Sequence, residues 1–277
     1  MILGIAMTPD HPPVSLARPS RRALVTGAST GLGAVFATLL AQQGYDLVLV
    51  ARNQERLQAH AERLHQRHGV TVQVVSTDLT RPAALRALED QVVGGPALDL
   101  LVNNAGFGTV GAFATLDLER EVEEIQLNVV ALLRLTRAAL PGMLARGHGG
   151  IINVSSLSAF VPSPYDATYG ATKAFINSFT ESLHEELRGT GVRIQALCPG
   201  FTHTEFQQRA GMDVSALPAF VWMTPEAVVE ASLTALQRGQ VLCVPGLGNR
   251  LLTWLIGATP RALVRRVTGL LAQRVMG

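Results

Sequence analysis

Three side chains with complementary chemistry stand close together in the stretch from Asn153 to Lys173, which reads N-V-S-S-L-S-A-F-V-P-S-P-Y-D-A-T-Y-G-A-T-K. Ser156 offers a hydroxyl, Tyr169 a phenol and Lys173 an ammonium. On a helix, Tyr169 and Lys173 are i and i+4 neighbours, about one turn apart on one face, which puts the cation beside the phenol. A free phenol has a pKa of about 10, so exchanging its proton near neutrality requires stabilising the anion by roughly 3 units, on the order of 4 kcal/mol. A nearby positive charge acts in that direction. Of 23 basic residues 22 are arginine, and Lys173 is the one lysine. The exception falls where a compact point charge, unlike a planar guanidinium, fits beside a phenol.

Those residues need a frame. Short apolar, β-rich runs at 23–26, 45–51, 70–76, 98–103, 151–155, 192–198 and 241–245 alternate with helical spacing at 33–43, 54–68, 81–93, 118–146, 168–188 and 225–238. The stretch 118–146 is expected to break or end near Pro141-Gly142, because proline lacks an amide donor and crowds the preceding turn. Strands that are apolar on both sides, each followed by a helix, predict an α/β fold: a single-domain, Rossmann-type, doubly wound parallel sheet with helices on both faces, spanning 21–246. At 277 residues and 48% hydrophobic, the chain has material for one large core. Residues 1–20 read as a mobile leader and 247–277 as a helical extension.

The first strand runs into Thr26-Gly27-Ala28-Ser29-Thr30-Gly31-Leu32-Gly33. Glycines there allow a tight turn, close backbone approach to a pyrophosphate and close helix packing, with the helix N-terminus receiving the anion. The G-x-x-x-G-x-G spacing departs from G-x-G-x-x-G, so the turn gains its weight from lying between a strand and a helix. The second strand ends at Ala51-Arg52, where a carboxylate would grip a ribose 2′-hydroxyl and an arginine a 2′-phosphate. That ending points to NADP.

Over 21–246 the chain resembles the short-chain dehydrogenase/reductase family, through T-G-A-S-T-G-L-G (26–33), D-L (78–79), N-N-A-G (103–106), Asn128, Ser156, Y-x-x-x-K (169–173) and P-G-x-x-x-T (199–204). The resemblance implies NADP(H)-dependent hydride transfer between nicotinamide and a carbonyl or secondary alcohol. It places Gly27, Gly31 and Gly33 at the pyrophosphate, with Ser29 and Thr30 as added donors and Leu32 beside them. Arg52 would bind the 2′-phosphate, Asp78 and Leu79 would meet the adenine, and Asn104, Ala105 and Gly106 would line the groove. Pro199, Gly200, Thr202 and Thr204 would close over the nicotinamide. Asn128, Ser156, Tyr169 and Lys173 correspond to a catalytic tetrad. Ser156 stands thirteen residues before Tyr169 and takes the role over Ser155, which reads as a satisfied strand-end hydroxyl. In that scheme Tyr169 donates a proton while Ser156 hydrogen-bonds the same oxygen, Lys173 holds the ribose and lowers the phenol pKa, and Asn128 positions a water. A homodimer or homotetramer built on helices 118–146 and 168–188 is likewise implied. The second reading, a non-catalytic NADP-binding regulator, needs the cofactor site alone, and the intact Ser156, Tyr169 and Lys173 argue against it. A serine hydrolase is disfavoured by the lack of a G-x-S-x-G elbow.

Apolar residues cluster in the segments expected to rim the pocket: Phe107, Val110 and Phe113, then Leu157, Phe160, Val161 and Tyr165, then Phe201, Phe206, Leu217, Phe220 and Trp222. They suit a hydrophobic small-molecule carbonyl or alcohol, and 201–223 reads as a mobile lid. A net charge of +2 and the lack of a basic run interleaved with aromatics argue against nucleic acid as a partner. Cys198 and Cys243 read as buried thiols of a cytoplasmic protein. His60, His65 and His68 read as a solvated helix face, not a metal site. With no run of about 20 apolar residues free of charge, no transmembrane helix is expected. From Arg238 onward there are six arginines and no acid, accompanied by apolar residues at 251–256 and a helical face of Leu263, Val267, Leu270, Leu271 and Val275. Packing on the domain or on a subunit mate is the first expectation for this extension, and an anionic membrane surface the alternative.

Overall fold

The computed structural model describes residues 21–212 and 218–276; the leader 1–20 and Leu217 lie outside the described residues, as do the side chains of Leu271 and Val275. Its centre is a sheet of seven parallel strands: β1 (Arg21–Thr26), β2 (Tyr45–Ala51), β3 (Val72–Ser76), β4 (Leu100–Asn103), β5 (Gly149–Val154), β6 (Val192–Leu197) and β7 (Leu242–Cys243). They lie in the order β3-β2-β1-β4-β5-β6-β7. The chain winds outward in one direction from β1 and then returns to start again at β4, so a crevice opens beyond the carboxyl ends of these two neighbours.

Alternation along each strand feeds two cores. Ala23 and Val25 of β1 point with Leu47, Leu49, Leu100 and Val102 toward α1 (Gly31–Gln42) and α8 (Pro225–Gln237). Leu24 points the other way, with Val48, Val50, Leu101 and Ile151, toward α3 (Pro82–Gly94) and α5 (Leu132–Arg146). Burying both faces is what makes the strand runs almost continuously apolar. α2 (Gln54–His68) is capped by Asn53, whose side chain accepts from the Arg56 amide, and ends at Gly69 in a left-handed conformation. One residue of that polar helix departs from the expected solvated face. His60 is buried, its Nε2 lying 3.3 Å from Thr38 Oγ1, and burial lowers its pKa.

The helical stretch Leu118–Arg146 is continuous, and Pro141 sits inside it without ending it. The irregularity falls earlier: between α4 (Leu118–Ile125) and α5, residues Gln126–Ala131 form a π-helical turn with Asn128 in its middle. By length and composition Leu118–Arg146 could cross a membrane, but its buried residues pack against α3, α6 (Ala167–Glu186) and the sheet.

The extension forms α9 (Leu247–Ala258) and α10 (Arg261–Met276). α9 rests on the segment 157–160 through its half-buried side, Asn249, Thr253 and Ile256, while Leu247, Leu251, Leu252, Trp254 and Leu255 face outward. On α10, Leu263, Val267 and Leu270 are exposed as well. Of the expected partners for these faces, the described part of the domain itself does not cover them: the side of α9 turned to the domain is largely polar, and its apolar side is turned away.

Candidate active site

A cavity of about 930 Å³ occupies the crevice at the carboxyl ends of the strands. At one end lie Arg52, Asn53 and Arg56, with Thr77, Asp78, Leu79 and Thr80 beside them. The floor is the turn after β1, with Gly27, Ser29, Thr30, Gly31 and Leu32, facing Asn104, Ala105 and Gly106. The other end holds Ser156, Tyr169 and Lys173, closed by Pro199, Gly200, Thr202 and Thr204.

Gly27 and Gly31 have φ of 67° and 55°, and a Cβ on Gly27 would stand 2.7 Å from Asn104 Nδ2. Asn104 braces that turn: Nδ2 donates to the Thr26 and Gly27 carbonyls, while the amides of Asn104 and Ala105 donate to Thr26 Oγ1. Thr30, the N-cap of α1, makes no side-chain cap, so the first amides of that helix are not satisfied by it. A cradle of glycines at a helix N-terminus, with arginines lining the same cavity, fits a dinucleotide phosphate chain.

Two predicted residues have a different place. Gly33 does not line the cavity; a Cβ there would come within 2.3 Å of Gly27 O, so its service is to let α1 press against the turn. Tyr165 is also outside the lining, at φ 65°, its carbonyl accepting from the Gly111 amide. Of the expected rim, Phe107, Val110, Leu157, Phe201 and Phe206 line the cavity; Phe113, Phe160, Val161, Phe220 and Trp222 do not.

At the reacting end, β5 delivers Ser156 and α6 delivers Tyr169 and Lys173 on one face, as the spacing requires. Lys173 Nζ donates to Val154 O at 2.8 Å and lies 5.3 Å from the Tyr169 ring centre. Ser155 Oγ donates to Lys173 O, a satisfied strand-end hydroxyl as expected. Phe206 of the short helix α7 (Phe206–Arg209) lies against the phenol ring, 5.5 Å between centres. Asn128 does not line the cavity. Its Nδ2 donates to Phe107 O at 2.9 Å and to Thr172 Oγ1, and its Oδ1 accepts from Phe107 N.

The electrostatics correct one expectation. Burial pushes the Tyr169 phenol above its usual value, hydrogen bonding with Ser156 pulls it down, and the charges of Asp166 and Glu124 push it up again. Lys173 is itself lowered by burial to about 8, against the pull of Glu124 and Asp166. The phenol's net shift is therefore upward, opposite to the lowering expected, because desolvation outweighs what favours its anion.

Sequence reasoning missed Arg56, Arg120, Asp166 and Arg209 in the lining. Arg56 bonds Glu205 at 3.1 Å and so ties α2 to the segment over the cavity. Arg120 lies 3.7 Å over the Phe107 ring. Arg56, four residues beyond Arg52, was within reach of the 2′-phosphate argument; Arg120 and Asp166 carry no motif.

Sheet order, glycine turn and a hydroxyl–phenol–ammonium set at the strand ends define a dinucleotide-dependent oxidoreductase of the Rossmann type. The short chain dehydrogenase family matches residues 21–214, and the chain belongs to this short-chain dehydrogenase/reductase family, whose members use NAD(P). It is similar to an NADPH-complexed short-chain dehydrogenase from Sphingobium yanoikuyae, with 37% identity, TM-score 0.79 and coverage of 91% of this chain and 95% of the other. The bulky-bulky ketone specific alcohol dehydrogenase of Comamonas testosteroni aligns at 31% identity and TM-score 0.74, covering 87% and 96%. A very-long-chain 3-oxoacyl-CoA reductase of Anas platyrhynchos is 30% identical over 248 residues, covering 87% of this chain and 77% of that protein.

Proposed function

We propose that this enzyme is an NADP(H)-dependent reductase of bulky, apolar carbonyl compounds, with Tyr169 as proton donor. The observation that carries the reading is one continuous cavity with arginines at one end and Ser156 and Tyr169 at the other, walled between by Phe107, Val110, Leu157, Phe201 and Phe206. Arg52 and Arg56 suit a 2′-phosphate, and the NADPH in the Sphingobium structure accords with that. The apolar wall suits a large ketone, as does the ketone preference in the name of the Comamonas enzyme.

The nicotinamide supplies the hydride when bound. Tyr169 gives its proton to the oxygen on which negative charge grows, and Ser156 hydrogen-bonds that oxygen. A phenol raised by burial holds its proton at neutral pH, the state required for carbonyl reduction. Lys173, anchored on Val154 O beside the Tyr169 ring, remains mostly ammonium at pH 7 and would hold the nicotinamide ribose of a bound cofactor. The Asn128 side chain holds Phe107 through both its amide groups and also donates to Thr172.

NADPH oxidation followed at 340 nm against bulky ketones and aldehydes, with NADH in parallel, tests the reading. Tyr169→Phe should lower kcat by about 10²–10⁴-fold and leave NADPH binding intact. Binding of NADPH with no turnover of any carbonyl compound by the wild type would favour the regulator; better turnover of small polar carbonyls would remove the apolar substrate class.

For assembly, Leu118, Val122, Ile125 and Leu133 form an exposed apolar stripe along the 118–146 helix, with Phe175 and Phe179 stacked on α6 nearby in the chain's fold. This reading assigns the stripe, and the outward face of α9, to a homodimer or homotetramer, with a lipid surface as the competing partner for α9. Two buried free thiols suit a reducing, cytoplasmic compartment.

A further inference from the structure

Behind the catalytic pair, Glu121 and Glu124 of α4 are buried together, at 4% and 0% exposure. The Thr109 hydroxyl lies against both, touching Glu121 Oε1 and standing 2.9 Å from Glu124 Oε2. A second hydroxyl, that of Thr168, donates to Glu121 Oε2. Glu124 Oε1 has no hydrogen-bond partner among the described residues.

A hydroxyl owns one hydrogen. If Thr109 gives it to one carboxylate, its contact with the other sets two bare acceptors against each other, unless that second carboxyl is protonated and donates to the Thr109 oxygen. Two hydroxyl donors converge on Glu121, so both of its oxygens are satisfied as acceptors. The proton then falls to Glu124, the carboxyl with an unpartnered oxygen, which as a buried anion would be costly.

We propose that Glu121 and Glu124 hold a single proton between them through Thr109, carried on Glu124 near neutral pH, and that this proton sets the charge facing the Lys173 ammonium. The pair carries one negative charge when the proton is present and two when it has left.

The surroundings agree. Burial pushes Glu124 up to about 7; the charge of Glu121 adds to this, while Thr109 and Lys173 oppose it. From the start of α6, Asp166 faces the same group and is itself pushed up to about 8, first by burial and then by Glu124 and Glu121. Tyr169 and Lys173 also interact with these acids, as Cys198 does with Lys173, and the Glu124 carboxylate favours the protonated form of both Tyr169 and Lys173. As pH rises past neutral, Glu124 ionises and helps Lys173 keep its proton. The device extends the ammonium form toward alkaline pH.

The rate part of this inference rests on the reductase reading; the proton itself does not. Infrared difference spectra of the full chain, titrated across neutral pH, should show a carboxylic-acid carbonyl band lost near pH 7, missing in Glu124→Gln and retained in Tyr169→Phe. Thr109→Val, which removes the bridging hydroxyl, should shift that band and its midpoint. In NADPH-dependent carbonyl reduction, Glu124→Gln should move the alkaline limb of kcat roughly one unit lower, with KM for the carbonyl compound changed by less than about twofold. A band unchanged by Glu124→Gln overturns the shared proton. A limb coincident with wild type overturns its hold on Lys173. A wild type that reduces no carbonyl compound refutes the reductase reading instead, and the infrared result then stands by itself.

Discussion

On the proposed reading, Arg52 separates two coenzymes that differ by one phosphate. Replacing it with aspartate puts like charge against the 2′-phosphate and a hydrogen-bond acceptor against a free 2′-hydroxyl. Losing one charge-assisted contact of this kind should lower kcat/KM for NADPH roughly ten- to hundredfold, while NADH gains, as read from parallel initial rates. Arg56 remains in place, so some preference for NADPH should survive in the single variant and disappear when both arginines are replaced. Glu124 makes a stability prediction as well as a kinetic one. Its folded-state pKa lies above that of the unfolded chain, so the native state favours the protonated acid, and stability falls as pH rises from about 4.5 toward 7. Glu124→Gln escapes that loss. It should melt higher than wild type above pH 7, with the gap closing toward pH 4.5, as calorimetry at several pH values would show.

The turn between β1 and α1 shows what an element demands of its residues. In Gly33→Ala the new methyl would meet Gly27 O at 2.3 Å, a main-chain atom that cannot swing aside. The variant should lose about 1–3 kcal/mol in denaturant unfolding, and NADPH affinity with it, because α1 must back away from the turn. The turn read in sequence as needing close helix packing as well as a phosphate cradle; the family resemblance put Gly33 on the pyrophosphate, and the structure puts it under the helix. Elsewhere the pattern was enough. β2 and α2 run from Tyr45 to Ala51 and from Gln54 to His68, as periodicity predicted: β2 is a nearly continuous apolar run, α2 sets Leu57, Ala61 and Leu64 at helical spacing in a polar background, and Asn53 caps the helix start. The long helix was misjudged at both of its special points. Pro141 looked like a stop and is not one, whereas the π turn at Gln126–Ala131 leaves no composition signal, since an inserted residue changes the phase of a helix and not its hydrophobicity. Ser156, Tyr169 and Lys173 were legible because each belongs to a spaced motif. Glu121, Glu124 and Asp166 were not: Glu121 and Glu124 are one turn apart in an acid-rich helix that reads as solvated, and Asp166 joins them only through the packing of α4 on the start of α6.

At the scale of the whole molecule, two apolar surfaces are left uncovered by the described residues, and each calls for a different partner face. A charge at the centre of the 118–146 stripe, as in Val122→Glu with Ile125→Glu, should yield a smaller species by light scattering if that stripe joins subunits, with the fold intact by circular dichroism. Truncation after Gly246 addresses the other surface. Loss of the larger species on truncation would assign α9 and α10 to a subunit mate, and loss of co-sedimentation with anionic liposomes would assign them to a lipid surface. The two surfaces are not equally distant from the chemistry. α9 leans on 157–160, directly after Ser156, and Asn249 lies where a Cβ on Gly200 would stand 2.8 Å from its Nδ2. Whatever covers the outer face of α9 therefore presses, through one helix, on two walls of the catalytic cavity. If the cover is a second copy, the enzyme would sense its own abundance: specific activity would decline on dilution, with a lag on reconcentration, at protein concentrations where an isolated catalytic unit would show neither.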